Sequence, residues 1–123
     1  MPSLAPWLTV ADGEAAVNFY QNAFDARVVY RLEPAEAGFV VRLAVADAEW
    51  WVSEDLENAI TPLGGASLRL ILTVPNPDAI FASAISAGAS AIFPVGEEYG
   101  WRLGRICDPF GLHWEIGFPL AGH

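Results

Sequence analysis

The sequence predicts an α+β fold built from two repeated β-α-β-β-β modules. Three observations carry that expectation. A shift of 64 residues lays Leu8-Thr9-Val10 on Leu72-Thr73-Val74, Ala15 on Ala79, Glu33 on Glu97 and Trp50 on Trp114. Each half then runs in the same order, a strand, a capped helix and three further strands. The chain closes on two short strands joined by the tight turn Asp108-Pro109-Phe110-Gly111, where Pro presets φ and Gly relieves the exit.

Taken in order, Leu4 to Val10 reads as a strand, and Asp12 caps the helix that follows, with Glu14 in its first turn. Ala16, Val17, Tyr20, Ala23 and Phe24 give that helix its apolar face. Arg27 to Leu32 is a β-branched and aromatic strand, and Pro34 to Gly38 a turn. Phe39 to Val45 alternates, with Phe39, Val41, Leu43 and Val45 on one face and Val40, Arg42 and Ala44 on the other. A turn near Asp47-Ala48 leads into Trp50 to Ser53. Glu54 to Ala66, with Pro62 and Gly64-Gly65, reads as a linker or loosely helical crossover. The pattern then restarts with a strand from Leu68 to Val74. Asn76 caps a second helix, Pro77 stands at its first position, and Gly88 suits its end. Ile80, Phe81, Ala84 and Ile85 form its apolar face, Ala89 to Val95 is a strand, and the closing hairpin follows. The expected layout is one domain over 1–123, with module one at 4–53, a linker at 54–66 and module two at 67–118.

Composition bounds the function classes. The chain has 123 residues, 54% of them hydrophobic, and a formal net charge of −9. All six basic residues are Arg, set against 15 acids, which disfavours nucleic acid as a partner. Cys107 is alone, so no intrachain disulfide forms, and a reducing cytoplasm is the expected location. The start lacks a basic region and a long apolar core, so no signal peptide is expected. No apolar run reaches the ~18 residues of a membrane span. There is no Gly-rich phosphate loop, no Lys for a Schiff base, and no H-x-x-H or C-x-x-C motif.

The closing hairpin Gly100 to Gly117, the opening L-T-V-A-D-x-x-x-A-x-x-F-Y with Phe19 and Tyr20, and the doubled module resemble the vicinal-oxygen-chelate superfamily. That family holds glyoxalase I, extradiol dioxygenases and bleomycin-resistance proteins. The resemblance implies a cup-shaped mixed sheet, completed in a homodimer, whose helix-free face binds the ligand. Alternation assigns Trp7 and Thr9, Arg42 and Trp51, Arg69 and Ile71, and His113 and Glu115 to that face, with Trp101 at the rim. The cross-strand pairs inferred are Ala44 with Trp51, Arg42 with Ser53, Gly104 with Glu115, and Ile106 with His113. Cys107, Trp50 and Trp114 then face the helices.

Metal-dependent relatives supply one ligand from each of four strands, and the resemblance puts those places at Ala5, Trp51, Arg69 and Glu115. The first three side chains cannot ligate a divalent ion, so no metal and no other cofactor is expected. Glu115 is expected to pair with Arg69, since a buried carboxylate is tolerated mainly when paired. His113 reads as a partly buried residue hydrogen-bonded to its sheet neighbours. Arg102 and Arg105 fit equally as strand-edge charges or as further partners of Glu115. The resulting expectation is a metal-free binding protein of the bleomycin-resistance type, with no catalytic residue. It would sequester a planar aromatic ligand, cationic and antibiotic-like in character, against tryptophan. The alternative is a glyoxalase-like isomerase, lyase or dioxygenase using Glu115 and His113.

Overall fold

The computed structural model describes residues 2–61 and 68–121. Residues 62–67 of the expected linker, Pro62 and Gly64-Gly65 among them, lie outside the described residues. The chain divides into two compact units, the first ending at Ile60 and the second starting at Thr61.

The first unit holds β1 (Trp7–Val10), α1 (Gly13–Phe24), β2 (Arg27–Arg31), β3 (Val40–Val45) and β4 (Ala48–Glu54), with a short 3-10 turn at Ala35–Ala37. Its sheet runs β1-β4-β3-β2, with β1 parallel to β4 and the other pairs antiparallel. Asp12 caps α1 by accepting from the Ala15 amide at 3.1 Å. The first helical amide, Gly13, is taken by Glu54 Oε1 at 2.8 Å. Ala16, Val17, Tyr20, Ala23 and Phe24 are buried as their spacing predicts, and Phe19 joins them. They close on Leu8, Val10, Val41, Leu43, Trp50 and Val52. Strand β1 is shorter than expected, so Ala5 lies ahead of it and is exposed.

The second unit holds β5 (Arg69–Thr73), α2 (Pro77–Ala87), β6 (Ser90–Glu98), β7 (Trp101–Cys107) and β8 (His113–Pro119), in a sheet ordered β5-β8-β7-β6. Strand β5 is parallel to β8, which repeats the pattern of the first unit. Asn76 caps α2 through the Ala79 amide, and Gly88 ends it with φ near 120°, a conformation costly for other residues. The apolar face of α2 is less covered than its pattern suggests. Ala84 is buried, Ile80 and Phe81 are half-buried, and Ile85 is exposed. Leu68 also lies outside its strand and is exposed, where the alternation placed it against the helix. Among the described residues no helix is long and apolar enough to cross a membrane.

Two cross-strand registers differ from expectation. In the first hairpin Arg42 faces Trp51, Val40 faces Ser53 and Ala44 faces Glu49, a shift of two residues. The cause is the two-residue turn Ala46-Asp47, with Ala46 at φ 53°, which no Gly or Asn marked in the sequence. An even shift keeps every side chain on its face. In the closing hairpin Arg105 faces Glu115, Ile106 faces Trp114 and Cys107 faces His113, a shift of one. Here the Asp108 amide donates to Leu112 O at 2.9 Å, so the loop is Pro109-Phe110-Gly111, with Gly111 left-handed at φ 95°. Three loop residues in place of four reverse the faces of β7 relative to β8. Ile106 is therefore in the core, fully buried, and Cys107 and Arg105 share the helix-free face with His113 and Glu115.

Candidate functional site

In the second unit the observed register draws rows of side chains across the helix-free face of the sheet. One row reads Phe93, Arg105, Glu115, Ile71 from β6 to β5. The row on its turn side is Ser90, Cys107, His113, Arg69, and the row on its other side is Gly96, Leu103, Gly117, Thr73.

Glu115 is the hub. Its Oε1 lies 2.7 Å from Arg69 Nε, which reaches in from the adjacent row, and accepts from Arg105 Nη2 at 3.2 Å. The side chains of Arg105 and Glu115 are only 17% and 16% exposed, against 42% for Arg69. The pairing expected of Arg69 and Glu115 is thus present, and of the two cases left open for Arg105 the structure shows the partner of Glu115. Arg105 also lies over the Phe93 ring, 5.1 Å from its centre. Arg102, left open by the sequence, turns to the helix side and grips both oxygens of Asp78 at 2.7 Å. That bidentate pair holds the Asp78 carboxyl below its ordinary range.

Two hollows adjoin on this face. One, of about 260 Å³, is lined by Ile71, Trp101, Leu103, Glu115 and Gly117. The other, of about 690 Å³, runs past Arg69, Phe93, Pro94, Tyr99 and Arg105, with Glu97 and Glu98 on its border. Leu103 and Glu115 belong to both. Glycine at 117 keeps the first hollow open, because a Cβ there would stand 2.9 Å from Leu103 Cβ.

His113 is 7% exposed, and its Nδ1 is buried without a hydrogen-bond partner among the described residues. The expected sheet-neighbour hydrogen bond is therefore not made at that atom. Cys107, opposite it, has its thiol pushed up first by burial and then by the Asp108 charge. It stays protonated near neutral pH and is a poor nucleophile.

The residues do not fit the metal that the fold family's metal-dependent members hold. Glu115 Oε1 is shared by two guanidiniums, and a divalent cation beside it would meet both. Trp51 and Arg69 stand at two other ligand places and supply no donor, and Ala5 precedes β1 altogether. Among the described residues no three His, Cys, Asp or Glu side chains gather as a ligand set.

The first unit has its own row, Trp7, Trp51, Arg42, Tyr30, across β1, β4, β3 and β2. Trp7 stacks on Trp51 with centroids 5.8 Å apart and planes 20° from parallel. Arg42 lies 5.1 Å over Trp51, and Tyr30 meets that ring edge-on. Trp7 Nε1 donates to Ser53 Oγ at 2.9 Å, and Thr9 Oγ1 is 3.2 Å from the same hydroxyl. The indole of Trp7 is thereby fixed while 54% of the residue stays exposed.

The fold is shared widely. A hypothetical protein from S. aureus superposes with a TM-score of 0.77 at 17% identity, covering 96% of this chain and 94% of its own. TioX from Micromonospora sp. ML1 gives 0.74 at 21% identity, with 99% of each chain covered. The fosfomycin resistance protein FosX from Listeria monocytogenes gives 0.76 at 14% identity, covering 98% and 95%. At these identities the likeness concerns the fold alone. In sequence, an uncharacterized protein of Mycobacterium bovis is 35% identical over 129 residues, covering 97% of this chain and 84% of that protein. Residues 3–116 match the family profile of the Glyoxalase/Bleomycin resistance protein/Dioxygenase superfamily. With two β-α-β-β-β units and a family match over nearly its whole length, the chain belongs to that superfamily.

Proposed function

We propose that the protein binds a small planar aromatic molecule and does not transform it. The observation that carries this reading is the state of Glu115. A carboxylate whose Oε1 is shared by Arg69 and Arg105 is poorly placed to ligate a metal ion, because a divalent cation there would stand beside two others. What remains on the face suits adsorption. Ile71, Trp101 and Leu103 offer an apolar wall, with Arg69, Glu115 and His113 beside it. Trp7, backed by Trp51, Arg42 and Thr9, offers a second stacking surface.

The net charge of −9 favours a cationic substituent at long range. At physiological salt that attraction is largely screened beyond about 8 Å, whereas the guanidiniums of Arg69 and Arg105 border the hollows themselves. In this reading the protein works in the cytoplasm as a homodimer. Strand β6 is a sheet edge with Ile92 and Phe93 exposed, and such edges are normally covered. Sedimentation at micromolar concentration reads this directly, and a stable monomer would remove it.

The test of binding is a tryptophan-fluorescence titration against planar antibiotics and aromatic metabolites. At least one is expected to quench. If no planar compound quenches at millimolar concentration, the reading fails.

A further inference from the structure

Arg105 is a guanidinium held largely out of water with little to bind. Its contacts among the described residues are the hydrogen bond from Nη2 to Glu115 and the Phe93 ring. Its Nε is buried and without a hydrogen-bond partner. A buried cation and an orphaned donor are both costly, and a guanidinium presents five donors in a planar fork. Glu115 Oε1 meets both guanidiniums, so this trio sets two cations against one carboxylate. Two further acids border the larger hollow. Glu97 is turned toward Arg102 at 3.7 Å, and Glu98 is exposed near the β6–β7 turn.

Resting on the binding reading above, we infer that the ligand is an aromatic acid whose carboxylate is held by Arg105 and Arg69. A carboxylate matches the planar fork in shape and charge. The ring has its place next door, because the apolar hollow of Ile71, Trp101 and Leu103 shares Glu115 and Leu103 with the hollow that Arg105 lines. Glu115 then acts as an internal competitor. It keeps the two arginines in place in the free protein and yields part of their hydrogen bonding to the incoming anion.

Three probes of one shape test this, 2-naphthoate, 2-naphthamide and 2-naphthylmethylamine, titrated by tryptophan fluorescence at low and high salt. The acid is expected to bind roughly 10-fold tighter than the amide, the worth of one good charge-assisted contact, and the amine more weakly than either. Arg105→Met removes the preference, bringing the ratio of acid to amide affinity close to one. Glu115→Gln raises the ratio of acid to amide affinity. A merely structural role for Glu115 would not do so, and this arm stands even if the Arg105 variant does not fold. If acid and amide bind alike, if the amine binds best, or if Arg105→Met keeps the preference, the inference is wrong while the aromatic-binding reading survives. If none of the three binds, the inference falls, and the aromatic-binding reading is decided by the wider panel of planar compounds.

Discussion

The carboxylate of Asp108 and the indole of Trp114 meet at 2.9 Å in the buried end of the second unit. Asp108 also accepts from the Phe110 and Leu112 amides at 3.0 Å, so one side chain closes the hairpin loop and anchors a core tryptophan. Asp108→Ala leaves three donors short of an acceptor, at about 1–3 kcal/mol each where burial is complete. A loss on the order of 3 kcal/mol is expected, with Asp108→Asn costing less, read by urea denaturation.

Trp7 and Trp114 separate binding from stability. Trp114 is 3% exposed, and Trp114→Ala is expected to cost ~3–5 kcal/mol through the cavity it leaves. Trp7→Ala removes a half-exposed ring and one stacking contact, a loss of about 1 kcal/mol, and its main effect is weaker binding of planar probes. Thermal melts beside fluorescence titrations check this. The reverse pattern would invert the assignment of faces.

Gly13 opens α1, where Ala would ordinarily gain about 1 kcal/mol. A Cβ at this position would overlap the Phe39 ring. Gly13→Ala is therefore expected to destabilise by ~1–3 kcal/mol, the usual range for overpacking. Gly13→Ala combined with Phe39→Ala should recover part of that loss relative to Phe39→Ala alone.

The Asp78–Arg102 pair sets a pH dependence. Its folded-state carboxyl lies below 3.8, chiefly through the hydrogen bonds from Arg102, so the contribution is present above 3.8 and fades as pH falls through the lower folded value. The difference in melting temperature between wild type and Asp78→Asn is expected to be constant near neutrality and to shrink only below about pH 4. The pair is exposed, so the difference is small throughout and weakens in salt.

The donor set predicts that the protein does not retain transition metal. After incubation with Zn²⁺ or Mn²⁺ and desalting, elemental analysis is expected to find far less than one ion per chain. A stoichiometric ion that Glu115→Ala abolishes would show that the arginine clasp opens.

The order of elements was legible because helix caps and alternation are local signals, and Asp12, Asn76, Pro77 and Gly88 each do what their chemistry suggests. Face assignment was legible in the first hairpin, where an error of two residues is harmless. It failed on β7 because W-R-L-G-R-I-C carries arginine and apolar residues on both faces, so only the loop count could decide. The left-handed Gly111 closes the loop with one residue fewer than the four-residue turn implied, and with that the faces of Arg105, Cys107 and Leu103 changed. Arg69 and Glu115 were found because β5 and β8 alternate cleanly. Phe93 left no such mark, since it sits on an irregular edge strand with register shifts on either side.

The Phe110, Leu112 and Trp114 donors that Asp108 accepts from all lie within six residues of it in the chain. Closing so short a loop costs little entropy, so this corner can assemble before β5 arrives from some forty residues upstream. The β7–β8 hairpin is accordingly expected to nucleate the second unit. Asp108→Asn would then slow refolding about as much as it lowers stability, whereas Leu72→Ala, which empties a buried place on β5, would act mainly on the unfolding rate.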